Sequence, residues 1–168
     1  LFNNSEKAED PIATCEIQGY VYDAKLRAAY LAENIWNDKK LANKLKNEAN
    51  ILREKFNNDY WIDDKGGYFA LALDKDKNKV DSMSSNMGQL LWSGIVDKDK
   101  AEIIVKQLMS DNLYSGWGIR TMSEQDYGYN PIQYHNGTIW PHDNSLIVAG
   151  LLQYGYRDEA NRIIISLL

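Results

Sequence analysis

The sequence predicts an all-α fold built as an array of α-hairpins. Three observations carry this. Apolar residues recur at spacings of three and four over most of the chain. Three apolar segments, each followed by an amphipathic one, stand in register: the first members end near Trp36, Ile95 and Tyr154, each 59 residues after the last. Long irregular loops then separate one pair from the next.

The first pair opens with "IATCEIQGYVYDAKLRAAYLAENIW", where Ile17, Val21, Ala24, Ala28, Leu31 and Ile35 mark one face. That spacing predicts a long, largely buried helix. "KKLANKLKNEANILREKF" repeats Leu41, Leu45, Ala49, Leu52 and Phe56 against a charged opposite face, so it reads as an outer helix packed on one side. "DDKGG" breaks the pattern, and "YFALALDKDKNKV" alternates around a charged turn, which predicts one small β-hairpin near residues 68–80. "SNMGQLLWSGIV" with "DKDKAEIIVKQLM", then "HDNSLIVAGLLQYG" with "YRDEANRIIISLL", supply the second and third pairs. Asp38, Asp99 and Asp158 stand where the outer helices need N-caps. The repeats cover about 12–58, 84–110 and 141–168, and the loops 59–83 and 111–140 gather on one rim. Residues 1–168 thus read as a single domain, and a partial one. Three hairpins leave both ends of a stack uncovered, and the chain opens on "LF" and stops within "IIISLL". Further repeats are expected on both sides, and self-association of the partial domain is expected without them.

Composition narrows the function. The 168 residues carry a net charge of −5, and the lysines are interleaved with acids, so no basic stripe serves nucleic acid. Cys15 is the single cysteine; in its apolar run it reads as a buried, inert thiol, and a cytoplasmic location is expected. No apolar stretch approaches the ~20 residues of a membrane span, and no signal peptide opens the chain. Asn3 and Asn136 head N-x-S/T triplets, which alone carry no argument. Five Trp and eleven Tyr against three Phe give most rings a polar handle, the kind of ring that sugar-binding clefts use.

The densest stretch is "YHNGTIWPHDNSL", residues 134–146, which holds both histidines just before an apolar helix. Pro141 suits the first turn of that helix. Asp143 fits N-terminal capping and the helix dipole, or a ligand contact. The histidines lie seven apart without a companion cysteine or nearby third histidine, so no metal is expected. On the first helix, Glu16 and Gln18 interrupt an apolar run and need partners in each other, in a neighbouring helix, in water or in a ligand. Arg120 reads either as an organiser of Glu124 or Asp126 or as a ligand contact.

"PIATCEIQGYVYDA", "SNMGQLLWSGI", "GWGIRTMS" and "YNPIQYHNGTIWPHDNSLIVAGLLQYGYRDEA" together resemble the glycogen-debranching-enzyme (amylo-α-1,6-glucosidase) family, over nearly the whole chain. The resemblance implies about half of an (α/α)6 toroid that binds sugar at the loop rim, needs no cofactor and hydrolyses α-glucosidic, α-1,6 linkages. It implies that Tyr134, His135, Asn136, Trp140, His142, Asp143 and Asn144 line the sugar site, with Glu16, Gln18 and Tyr22 from the first helix and Trp117 and Arg120 from the second loop. Inverting glycosidases need two carboxyl groups about 6.5–9.5 Å apart. The resemblance places the acid before "PIA…EIQGY" and the base after "YGYRDEA", both outside this chain. Glu16, Glu124, Asp126 and Asp143 are its rim carboxylates, and none matches either motif. The alternatives are a catalytically silent carbohydrate-binding or scaffold fragment, or an unrelated terpenoid-handling toroid, whose pocket would be lined by Phe and Leu.

Overall fold

The structure, a computed structural model, describes every residue except 1, 3 and 5, so the triplet headed by Asn3 falls outside it. Three antiparallel hairpins make up the helical frame: α1 (Cys15–Asn34) with α2 (Lys39–Asp59), α3 (Asn86–Ser93) with α4 (Lys98–Leu108), and α5 (Pro141–Tyr154) with α6 (Arg157–Leu167). The outer helices begin at Lys39, Lys98 and Arg157, the even interval that the sequence predicts. Inner helices α1, α3 and α5 pack on one another in that order, each with its outer partner behind it.

Close approach holds the inner layer together. A Cβ on Gly88 would stand 2.6 Å from Ile147 Cγ1, and one on Gly150 would stand 2.5 Å from the Trp92 backbone nitrogen. Residues 88 and 147, then 92 and 150, meet in ascending order, so α3 and α5 run parallel. Behind them lies a core of Leu90, Leu91, Ile104, Leu108, Ile147, Leu151 and Ile163. Phe56 joins it to the first hairpin, stacked on Tyr60 at 4.7 Å and on Phe69 at 4.9 Å. Both α3 and α5 end on a left-handed glycine, Gly94 at φ 76° and Gly155 at φ 91°, where a side chain would be strained.

The structure corrects three expectations. First, α1 buries Cys15, Gly19, Tyr22, Ala29 and Ala32, whereas Ile17 is 50% and Ile35 63% exposed, with Val21 and Leu31 also exposed. The helix is apolar on two sides, and the side with small residues is the buried one; a Cβ on Gly19 would stand 2.6 Å from Ser93 Oγ of α3, so the approach there needs a glycine. The larger aliphatic stripe is left open. Second, the strands form two sheets in place of one hairpin. In one, β1 (Ala13–Thr14) pairs β4 (Ala72–Leu73), which pairs β5 (Lys79–Val80); in the other, β2 (Trp61–Ile62) pairs β3 (Tyr68–Phe69). Residues 68–80 therefore divide at Ala70–Leu71 between the sheets. Third, only Asp38 caps a helix as expected, its Oδ1 accepting from the Leu41 N–H at 2.9 Å. Asp99 and Asp158 lie in the first turns of α4 and α6, where they favour the helix dipole instead. Cys15 is buried as expected, and burial first, then the neighbouring Glu16, pushes its thiol well above the ordinary range.

Candidate functional site

A cleft of about 340 Å3 opens at the N-terminal ends of α3 and α5, where both rim loops converge. Ser84, Ser85, Asn86 and Gln89 line it from the α3 side, Leu71 from the first loop and Thr121 and Met122 from the second. His135, Asn136, Trp140, His142 and Asp143 close the remaining wall. The second loop has little regular structure but is pinned throughout. Short antiparallel bridges join Ser84 to Met122, Tyr114 to Ile119 and Arg120 to Ile139, and Gly137 N–H donates to Thr121 Oγ1 at 2.9 Å.

Pro141 occupies the first turn of α5, as the sequence predicts, and sets the following two residues at the mouth of the cleft. Trp140 is the centre of a ring cluster. His135 lies parallel to it at 5.8 Å, while Tyr134 at 4.4 Å and His142 at 5.3 Å meet it edge to face. Its indole N–H is shared between the Tyr134 carbonyl and Thr138 Oγ1, each at 3.0 Å. The indole is thus fixed before any ligand arrives.

Asp143 is 3% exposed, and its carboxylate turns to Gln89 rather than to a backbone N–H of its own helix. Gln89 Nε2 donates to Oδ1 at 2.6 Å, and the Tyr20 hydroxyl donates to Gln89 Oε1. Asp143 Oδ2 is buried and has no hydrogen-bond partner among the described residues. Capping does not explain this residue.

The remaining expected residues sit elsewhere. Asn144 is fully buried and clamps the second loop: its Oδ1 accepts from Ile119 N–H at 2.7 Å, and its amide donates to the Ile119 and Trp140 carbonyls, each at 3.0 Å. Arg120 organises the loop, pairing with Glu124 Oε1 at 2.6 Å and donating to the Asp111 carbonyl at 3.2 Å. Asp126 is buried and accepts from the Met83 N–H at 2.7 Å, and burial raises its carboxyl above the ordinary range. Trp117, 75% exposed, borders a different groove with Tyr114, Arg162 and Ile165. Tyr134 packs its ring against His135 and Trp140 of the cleft wall. Glu16 accepts from the Cys15 thiol at 3.5 Å, Gln18 donates to the Thr14 carbonyl at 3.4 Å, and Tyr22 is in the core. Sequence reasoning passed over Tyr20 and Gln89. The signal for Gln89 was present, a polar residue inside the apolar helix "SNMGQLLW".

This frame recurs in solved glycoside hydrolases. Neutral trehalase from Saccharomyces cerevisiae matches with a TM-score of 0.81 and 22% identity, over 93% of this chain and 30% of the trehalase. A GH63 mannosylglycerate hydrolase from Thermus thermophilus, solved with glucose, matches with a TM-score of 0.71 and 12% identity, over 92% of this chain and 36% of that one. These likenesses show the fold, part of a helical α/α toroid. The chain belongs to the mannosylglycerate hydrolase MGH1-like glycoside hydrolase family, whose model matches residues 3–167. Mannosylglycerate hydrolase of Rubrobacter radiotolerans is 25% identical over 119 residues, 68% of this chain and 27% of that protein. The chain therefore spans well under half the length of these relatives. Glycoside hydrolase membership agrees with the resemblance drawn from the motifs; the debranching branch and its α-1,6 linkage receive no support from these matches.

Proposed function

We propose that the cleft holds the sugar ring of a small α-linked glycoside, and that the chain is the sugar-binding rim of an inverting hydrolase. The substrate class is an α-mannoside or α-glucoside with a small polar partner, in keeping with a relative named for mannosylglycerate. One observation carries the reading: a fixed ring cluster shares the cleft with a buried carboxylate oxygen that lacks a donor among the described residues. A sugar supplies both complements, since its hydroxyls are donors and its C–H face packs on rings.

Asp143 is the one carboxylate among the described residues that lines the cleft. An inverting pair needs a second carboxyl about 6.5–9.5 Å away. Glu124 and Asp126 are engaged in holding the loop, so Asp143 gains no partner carboxyl from them; in this reading Asp143 binds the sugar, and the proton donor and the base both come from elsewhere in the full-length protein. Water exclusion and orientation of the sugar are this chain's share of the reaction.

The test is anomer-resolved proton NMR of the full-length protein with mannosylglycerate, trehalose and isomaltose. The reading expects turnover of one of the first two, with β-mannose released first from mannosylglycerate or α- and β-glucose released in equal amounts from trehalose, and little turnover of the α-1,6-linked isomaltose. Retention of configuration would overturn the inverting mechanism. The single carboxylate in the cleft also favours a second reading, a carbohydrate-binding unit without catalysis. Binding without turnover in the same experiment would select it.

A further inference from the structure

Tyr20, Gln89 and Asp143 stand on the three successive inner helices and form one hydrogen-bonded line from α1 to the cleft. Chemistry fixes its direction. An ionised carboxylate only accepts, so the Gln89 amide must turn its NH2 to Asp143 and its oxygen to a donor. The Tyr20 hydroxyl is that donor, and burial, followed by the charges of Glu16 and Asp143, raises its pKa and keeps the proton on it. The line ends at Asp143 Oδ2, which is buried and has no partner among the described residues although its twin oxygen is satisfied.

We infer that Tyr20 and Gln89 are positioning residues: they lock the Asp143 carboxylate so that Oδ1 is committed to the protein and Oδ2 is kept for one hydroxyl donor of the bound sugar. The inference rests on the carbohydrate reading and names the atom that does the recognition. A carboxylate held from behind loses little freedom when a ligand docks, so a lone acceptor of this kind selects for a correctly placed hydroxyl. Because the line crosses all three inner helices, the packing of α1 on α3 is coupled to the site on α5.

A double-mutant cycle in the full-length protein tests this, with mannosylglycerate affinity as the readout and melting temperature as the control. Gln89→Met should weaken binding about tenfold, the loss of one charge-assisted hydrogen bond. Tyr20→Phe should weaken it less, and Gln89→Met should add almost nothing once Asp143→Asn is present. Gln89→Glu supplies a readout that a merely structural role would not move. Its affinity relative to the parent should recover as pH falls, because the introduced carboxyl, once protonated, donates to Oδ1 as the amide does. Parent-like affinity in Gln89→Met and Tyr20→Phe, additive losses in the cycle, or a pH-independent ratio would overturn the inference while leaving the carbohydrate reading intact. If the parent binds neither mannosylglycerate nor trehalose, that reading fails instead. The positioning role is then read from crystals of Gln89→Met: a rotated or split Asp143 carboxylate is expected, and the parent rotamer would overturn it.

Discussion

Asn144 and Asp143 are neighbours on the first turn of α5, yet they do opposite work. Asn144 exhausts its amide on the Ile119 and Trp140 backbone and has nothing left for a ligand. Asn144→Ala leaves two or more buried backbone groups unsatisfied, each worth about 1–3 kcal/mol. We expect a loss of roughly 3 kcal/mol of stability in a denaturant melt, with the loop at Ile119 gaining hydrogen exchange first. Asp143→Asn keeps the acceptor that Gln89 uses and turns the lone oxygen into a donor, so stability should hold while sugar affinity falls. The sequence could not separate the two residues, because "HDN" offers hydrogen-bonding groups without saying which way each turns. That depends on where the loop carrying Ile119 lands, 25 residues earlier in the chain. The ring cluster, by contrast, was legible, since rings concentrated at 134–142 can hardly avoid one another.

At the scale of elements, the helices were readable because each outer one has a single apolar face. The inner ones were harder: α1 is apolar on two sides, and spacing alone cannot tell which side meets a neighbour. The short strands depended on pairing between distant segments, as when Ala13–Thr14 meets Ala72–Leu73. Contact between α3 and α5 depends on the absence of a side chain at Gly150. Gly150→Ala drives a methyl against the Trp92 and Leu91 backbone, which cannot move as a rotamer does. We expect a cost of about 1–3 kcal/mol, measured as a shift in the denaturant midpoint, in spite of alanine's better helix propensity. The second loop is held differently, through buried Asp126. Burial is the main cause that raises its carboxyl, so the folded state holds this proton more tightly than the unfolded chain does. The contribution of this group to stability is therefore fully present below the unfolded pKa and is lost as pH rises through the window up to the folded one. Asp126→Asn removes that dependence, so its stability relative to the parent should improve as pH is raised through the carboxylate range. A ratio of unfolding constants that does not change with pH would contradict this.

Across the whole molecule, the two ends of the array carry uncovered apolar surface. Ile17, Val21, Leu31 and Ile35 line one side of α1, and Leu152, Ile164 and Ile165 are exposed on the last hairpin. Patches of more than a few hundred Å2 are rarely left bare on a monomer. We expect residues 1–168 alone to self-associate, seen as concentration-dependent sedimentation; a single monomeric boundary with a sharp, high-temperature melt would contradict it. The repeat in the sequence made the array visible, and the family model extends it to glycosidases, while the linkage cleaved lay beyond what these motifs specify.

Sugar binding in the cleft between α3 and α5, through the ring cluster and the free oxygen of Asp143, is the claim on which the rest depends. It is tested most directly by calorimetric titration of mannosylglycerate into the full-length protein and its Asp143→Asn variant, with melting temperatures alongside. The expected result is a loss of affinity of about tenfold or more, corresponding to one lost hydrogen bond to a charged group, at an unchanged melting temperature. Equal affinity in the two proteins, with the variant folded as the parent is, would contradict it.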